Sequence, residues 1–242
     1  MKSPSAYLLV SHGSRDPRPQ AEVEKLAVLV SQKLARGNRQ HEVLPLVSTA
    51  CLELAPLPLH QQIEAFGLKA QSSGFNRLQI LPLFLLPGVH VMEDIPSEVD
   101  RARLGLNLKI EIRPHLGAHP GLGKLLKTQV TSDANAKILL SHGSRRPKGN
   151  QPVEELATRL GAVAAYWSVS PSLEMRVKEL VGAGYRKIAI IPYFLFPGGI
   201  GDAIAHAVEV ISQELPGVDF SMTAPIGASN ELADLILDLV QQ

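Results

Sequence analysis

Hydrophobic residues in this chain form short continuous runs, and each run is followed by a helical stripe. The run at residues 8–10 ends in a small polar turn, and so does the run at 138–140. Apolar residues then recur at i, i+3, i+4, i+7 and i+11, which places them on one face of an α-helix. They are Val23, Leu26, Ala27, Val30 and Leu34 in the first stripe, and Val153, Leu156, Ala157, Leu160 and Ala164 in the second. Both patterns predict a strand, a tight turn and an amphipathic helix.

The polar turn belongs to an internal repeat. Residues 8–15 read LLVSHGSR and residues 138–145 read ILLSHGSR, 130 positions further on. Residues 74–88 match residues 184–198 at a displacement of 110 positions. Each half therefore carries the same elements in the same order, with extra length in the middle of the first half. We expect two domains, at residues 1–127 and 136–242, with the polar stretch 128–135 between them.

The type of strand indicates the fold class. The continuous apolar run at 78–84 is typical of a parallel sheet that helices cover on both faces, whereas residues 108–113 alternate and suggest an edge strand. Strands that alternate with helices favour an α/β fold with a doubly wound sheet. We therefore predict two tandem α/β domains, each a small parallel sheet flanked by helices, related by a pseudo-twofold axis. Ligands of such sheets bind beyond the carboxyl ends of the strands, where His12 and the segment after Phe84 are expected.

Composition excludes several classes of function. The chain has 242 residues, of which 45% are hydrophobic and 19% charged, so it is expected to be globular. Its longest apolar stretch, 80–92, is too short to cross a membrane, and the first residues do not form a signal peptide, so we expect a cytoplasmic protein. A net charge of +1 and 5% aromatic residues argue against a nucleic-acid partner. Because Cys51 is the only cysteine, a bound metal would need nitrogen and oxygen ligands.

The two halves differ where a ligand is expected to bind. His90 corresponds to Ile200, and Glu53 corresponds to Ser168. The fold needs neither the imidazole nor the carboxylate, because the second half lacks both. His12, Glu53 and His90 therefore become candidates for chemistry. Two imidazoles and a carboxylate can bind a first-row divalent metal, and histidine also accepts protons near neutral pH.

Four segments carry a resemblance to a known family: residues 9–17, 52–55, 81–96 and 114–120. They resemble the class II chelatases, which insert a divalent metal into the tetrapyrrole sirohydrochlorin. The resemblance implies two chelatase-like domains facing across a cleft, with His12 and His90 as the catalytic, metal-binding histidines and Glu53 as the acidic residue. It also implies that sirohydrochlorin is the partner and that the metal, Fe²⁺ or Co²⁺, is a substrate, with no permanently bound cofactor.

The peripheral carboxylates of sirohydrochlorin require donors. We expect these from the helix N-termini after the two turns and from the adjacent side chains of Ser14, Arg15, Ser144, Arg145 and Lys148. Glu93 and Asp94 are interpreted as negative charges at the start of a helix. Because the duplication can replace the two subunits of a homodimer, we expect a monomer.

Alternative functions remain open from the sequence. The chain ends without a cysteine-rich or histidine-rich tail, which favours iron insertion and siroheme synthesis over cobalt insertion for cobalamin synthesis. A carrier of tetrapyrrole or metal could use the same domains without catalysis. A histidine phosphatase is disfavoured, because Ser11 and Ser141 stand where the arginine of its Arg-His-Gly motif would be required.

Overall fold

A computed structural model describes residues 5–37, 45–129 and 133–241 of the chain. The strands are β1 (Ser5–Ser11), β2 (Val47–Cys51), β3 (Arg77–Pro82), β4 (Lys109–Ile112), β5 (Ala136–Ser141), β6 (Val163–Tyr166), β7 (Lys187–Pro192) and β8 (Asp219–Met222). The helices are α1 (Pro17–Gly37), α2 (Leu59–Ser72), α3 (Ile95–Arg103), α4 (Leu122–Gln129), α5 (Gln151–Leu160), α6 (Leu173–Gly182), α7 (Gly199–Glu214) and α8 (Asn230–Gln241). A π-helical turn, His90–Asp94, precedes α3, and a 3₁₀ turn, Leu116–Ala118, follows β4. Within these ranges no helix combines the length and the apolar character needed to cross a membrane.

The chain forms two compact units, and each contains one sheet. The first unit comprises Met1–His119 and Ala228–Gln242, and the second comprises Pro120–Gly227. This division differs from the sequence repeat, because the last helix of each repeat packs in the other unit. Helix α8 packs against α1, and α4 packs against α5. The repeat and the compact unit are therefore different divisions of the same chain.

Both sheets are entirely parallel and have the same strand order, β2-β1-β3-β4 in the first unit and β6-β5-β7-β8 in the second. The predicted α/β fold with small parallel sheets is thus confirmed, and β4 is an edge strand as its alternating pattern indicates. The chain passes from β1 to β2 on one side and then returns across β1 to β3. The strand order therefore reverses at β1, and a crevice for ligands is expected at its carboxyl end.

The core of the first unit lies between its sheet and helices α2 and α3. Leu8 and Val10 point to one face of β1, where they join a buried cluster that includes Ile63 of α2 and Val99 of α3. Leu9 points to the opposite face and is also fully buried. Because β1 is apolar on both faces, it is suited to an inner position in the sheet.

The second unit repeats this arrangement around β5, with a buried cluster of its own. Its first helix is shorter than the predicted stripe. The extension of that stripe to Ala164 is wrong, because α5 ends at Leu160 and Ala164 lies in β6. Gly161 has a φ of +64° and caps the helix in the left-handed conformation, which glycine adopts without steric cost.

A buried residue of α8 supplies a test of the packing of this helix. Ile236 of α8 is fully buried, so Ile236→Ala should lower the free energy of unfolding by about 2–5 kcal/mol. Leu104→Ala is the control, because Leu104 is 92% exposed and its truncation should change stability by less than about 0.5 kcal/mol. Urea unfolding followed by circular dichroism measures both variants. Equal stabilities would contradict the placement of α8 in the core.

Candidate metal site

The turn after β1 brings His12 against the loop that carries Glu53. The backbone N–H of Glu53 donates a hydrogen bond of 2.9 Å to the carbonyl of His12. Gly13 has a φ of +98°, and a Cβ at this position would lie only 2.0 Å from the carbonyl oxygen of Glu53. The close approach of the two loops therefore requires glycine at position 13.

His90 reaches the same site from the segment after β3. Its imidazole lies 4.9 Å from that of His12 between ring centroids, at an interplanar angle of 81°. The ring of Phe84 contacts both, with centroids 6.0 Å from His90 and 6.3 Å from His12. Since Phe84 is itself packed against the buried cluster of the first unit, it connects the two imidazoles to the core.

The structure brings the three candidate residues His12, Glu53 and His90 together. One ligand atom from each lies within 4.8 Å of the other two, and His12 Nε2 is 3.9 Å from Glu53 Oε2. Ligands about 2.1 Å from a metal can be at most about 4.2 Å apart, so only a small inward movement is needed to bind one ion. The side chains of His12 and Glu53 are 50% and 52% exposed. The set can hold a divalent cation and leaves part of its coordination open.

The Nδ1 atoms of both imidazoles have polar partners. His12 Nδ1 lies 3.2 Å from the carbonyl oxygen of Gly13, and His90 Nδ1 lies 2.7 Å from Asp94 Oδ2. An imidazole that donates through Nδ1 keeps the lone pair of Nε2 for a metal or a proton. Asp94 makes no side-chain cap to α3. The sequence interpretation as a helix-start charge missed its contact with His90, although the i, i+4 spacing was a signal for it.

Gln62 of α2 fixes the loop that carries Glu53, a role that the sequence did not indicate. Its side-chain oxygen accepts from Cys51 N–H at 3.0 Å, and its amide nitrogen donates to the carbonyls of Cys51 and Leu57 at 2.9 and 2.8 Å. These bonds connect the end of β2 to Leu57, two residues before α2. The loop is therefore held at both ends by one side chain.

The predicted anion-binding groups of the first turn lie close to His12. Arg15 is exposed, whereas two backbone N–H groups near the start of α1 are already bonded. Asp16 N–H donates to Ser14 Oγ and Arg18 N–H donates to Asp16. Pro17, at the start of α1, has no N–H to offer.

The equivalent turn of the second unit is also partly satisfied from within. Ser144 N–H donates to Asn150 Oδ1 at 2.7 Å, so this group is not free either. Arg145 and Lys148 are exposed. The role of Ser14, Arg15, Ser144, Arg145 and Lys148 in binding carboxylates stays a prediction, now resting on side chains and not on helix N-termini.

The second unit keeps the backbone arrangement of the site and a histidine, His142, but it lacks counterparts of Glu53 and His90. Ser168 N–H donates to the carbonyl of His142 at 2.9 Å, the same bond that joins Glu53 to His12. This equivalence confirms that Ser168 corresponds to Glu53. Ser168 Oγ also donates to the His142 carbonyl, and Ile200 occupies the position of His90. His142 therefore has no carboxylate or second imidazole from these two positions.

Other histidines have different surroundings. His60 Nδ1 lies 2.8 Å from Glu98 Oε2. Burial lowers the pKa of His115 below its ordinary value, which favours its neutral form. His206 is 78% exposed on α7 and lies 3.6 Å from Glu209. These histidines do not belong to the three-residue set.

Comparison with known proteins identifies the family. The CbiX family model matches residues 6–133 and 136–242. The chain belongs to the CbiX family. The resemblance to the class II chelatases is thereby confirmed, and the two matches follow the sequence repeat.

Relatives of this CbiX-family chain match it over most of its length. A sirohydrochlorin ferrochelatase of Priestia megaterium is 25% identical over 96% of this chain and 87% of its own length. A sirohydrochlorin cobaltochelatase of the same organism is 22% identical over 98% of this chain and 79% of its own. The structure of SirB from Bacillus subtilis with Fe³⁺ matches with a TM-score of 0.75 at 23% identity, covering 98% of this chain and 94% of that one. The last comparison establishes a shared fold.

The loop contacts of Gln62 lead to a matched pair of variants. Gln62→Ala should weaken Co²⁺ binding by about 10-fold or more, because the loop carrying Glu53 loses its side-chain hydrogen bonds at Cys51 and Leu57. Gln61→Ala is the control, because Gln61 is its exposed neighbour on the same helix. Visible absorption of Co²⁺ during titration measures both affinities. Equal affinities in the two variants would show that Gln62 does not organise the site.

Proposed function

We propose that this protein inserts a divalent metal into sirohydrochlorin. The observation that carries the proposal is the grouping of His12, Glu53 and His90 within 4.8 Å at the strand-order reversal of the first sheet. The relatives named sirohydrochlorin ferrochelatase and cobaltochelatase support the same reaction. Fe²⁺ is the proposed metal, and Co²⁺ is the alternative, since histidine and carboxylate ligands suit both ions.

Insertion exchanges one divalent cation for two protons. Each pyrrole nitrogen that gives up its proton acquires a bond to the metal, so two protons must leave while the ion enters. We assign the Nε2 atoms of His12 and His90 to the metal before transfer. When the ion moves to the ring nitrogens, the released lone pairs of the two imidazoles can accept the two protons. Transfer of both protons from the imidazoles to water then restores the two lone pairs for the next ion.

Glu53 has a supporting role in this proposal. Its carboxylate lies 3.9 Å from His12 Nε2 and is half exposed, so it can ligate the entering metal and then stabilise the imidazolium that forms. Its negative charge also offsets part of the charge of the ion while the ring is still protonated. The exposed Arg15 is proposed to bind a peripheral carboxylate of the tetrapyrrole. A monomeric state and a cytoplasmic location stay predictions.

Anaerobic incubation with sirohydrochlorin and either metal tests the function. Turnover changes the absorption spectrum of the tetrapyrrole continuously, a carrier gives a change limited to the protein concentration, and an unrelated protein gives none. The metal with the larger kcat/KM is the preferred substrate, and we expect Fe²⁺. A stoichiometric change or no change would refute the enzymatic proposal.

Replacing His90 by the residue of the second repeat separates chemistry from folding. His90→Ile should reduce kcat by about 100-fold or more, since it removes one metal ligand and one proton acceptor. The fold should persist, because Ile200 occupies the equivalent position in the second unit. The control is His206→Gln, in an exposed histidine outside the site, which should keep full activity. Unchanged turnover in His90→Ile would remove His90 from the mechanism.

A further inference from the structure

We infer that Asp94 is a positioning residue that fixes the tautomer and orientation of His90. Its carboxylate holds the proton of the imidazole on Nδ1 and thereby leaves Nε2 free to face the metal. This inference rests on the proposed function, in which the metal bound by His90 is transferred to sirohydrochlorin.

The geometry of the pair supports this role. The distance of 2.7 Å between His90 Nδ1 and Asp94 Oδ2 is that of a charge-assisted hydrogen bond. A carboxylate only accepts, so the shared proton must belong to Nδ1. A neutral imidazole has one donor and one acceptor nitrogen, and Nε2 is then the acceptor. Metal-binding histidines commonly have such a partner, which also raises the basicity of the ligating nitrogen.

The backbone places the carboxylate for this contact. His90 and Asp94 are the first and last residues of the π-helical turn, so their side chains lie one turn apart on the same side. The turn is closed by the backbone N–H of Ile95, which donates to the carbonyl of His90. Pro96 follows in the first turn of α3 and has no N–H for the carbonyl four residues earlier. The wider turn therefore ends where proline interrupts the α-helical pattern, and π-turns of this kind often occur at functional sites.

The second repeat lacks both members of the pair. Ile200 corresponds to His90 at the displacement of 110 positions. After the π-helical turn the buried residues Ile95 and Ala102 correspond to Ile204 and Ile211, at a displacement of 109, so Ala203 stands at the position of Asp94. The carboxylate is thus absent from the unit that has no imidazole at the position of His90, as a positioning role requires.

The two imidazoles of the site differ in their partners. His12 Nδ1 is 3.2 Å from a neutral backbone carbonyl, a longer contact than the one that His90 makes with a carboxylate. The carboxylate should therefore hold the tautomer and orientation of His90 more firmly than the carbonyl holds those of His12. Loss of Asp94 acts on that ligand alone and leaves the backbone contact of His12 in place.

Titration of the protein with Co²⁺, followed by visible absorption, tests the inference. Asp94→Ala should weaken Co²⁺ binding by about 10–100-fold, and Asp94→Asn should have a smaller effect because its amide oxygen accepts without a charge. Asp100→Asn is the matched control, in an exposed aspartate of α3 that pairs with Arg103. Thermal unfolding of each variant verifies that the fold is retained.

Nitrogen-15 NMR of the imidazole groups reports the tautomer of His90. A substitution with only a structural effect would not change this tautomer. The His90 signals are identified by their loss in His90→Gln. The wild-type protein should carry the proton on Nδ1, and Asp94→Ala should shift the population toward the Nε2–H tautomer. Wild-type affinity together with an unchanged tautomer in Asp94→Ala would overturn the inference, as would a wild-type protein that binds no Co²⁺.

These measurements are independent of sirohydrochlorin. If the wild-type protein fails to metallate the tetrapyrrole but Asp94→Ala loses Co²⁺ affinity and shifts the tautomer, the proposed function fails and the positioning role stands. If the wild-type protein turns over and Asp94→Ala matches it in Co²⁺ affinity and tautomer, the positioning role fails alone.

Discussion

The hydrogen bond from Glu53 N–H to the carbonyl of His12 is the constraint on which the candidate site depends. It extends the pairing of β1 and β2 past the ends of the strands and into the two loops that carry the imidazole and the carboxylate. The bond can form only because Gly13 has no Cβ to collide with the backbone of Glu53. Backbone pairing therefore places His12 and Glu53 close together. The distance between the imidazole and the carboxylate depends on this pairing.

The second unit shows that this backbone geometry can exist without the donors. Ser168 makes the same bond to His142, and its hydroxyl adds another to the same carbonyl. The turn, the strand order and the buried cluster are all retained, while the positions of Glu53 and His90 carry a serine and an isoleucine. Stability and chemistry are thus separable in this fold, because the donors lie beyond the strand ends and contribute little to the core.

The fold was largely predictable because its signals are local and repeated. Continuous apolar strands, the alternation at residues 108–113 and the stripe beginning at Val23 all describe burial, which periodicity reports directly. The end of α5 was missed because a single left-handed residue, Gly161, stopped a pattern that hydrophobicity alone would have extended. The packing of α8 on α1 was missed too, since no local pattern states which sheet a helix will cover.

The candidate donor residues were predictable from the sequence, but the side chains that hold them in place were not. Comparison of the two halves singled out Glu53 and His90, since residues that the fold can lose are visible in a duplicated sequence. The role of Gln62 could not be predicted from the sequence, because its partners are backbone groups of Cys51 and Leu57. Contacts to backbone groups leave no motif of side chains. The bonds of three backbone N–H groups were not predicted for a related reason, because Ser14, Asp16 and Asn150 accept them through side chains close in sequence.

The exposure of the candidate site suits the proposed transfer of a metal ion. His12 and Glu53 are half exposed, and the set offers two imidazoles and one carboxylate without a thiolate. A closed site with four ligands would hold a divalent ion as part of the structure, whereas three ligands leave a coordination position for an incoming group. A tetrapyrrole supplies four nitrogens that can displace these ligands one at a time. In the proposed function, incomplete coordination is therefore a requirement of transfer, and donors at the open edge of the sheet meet this requirement.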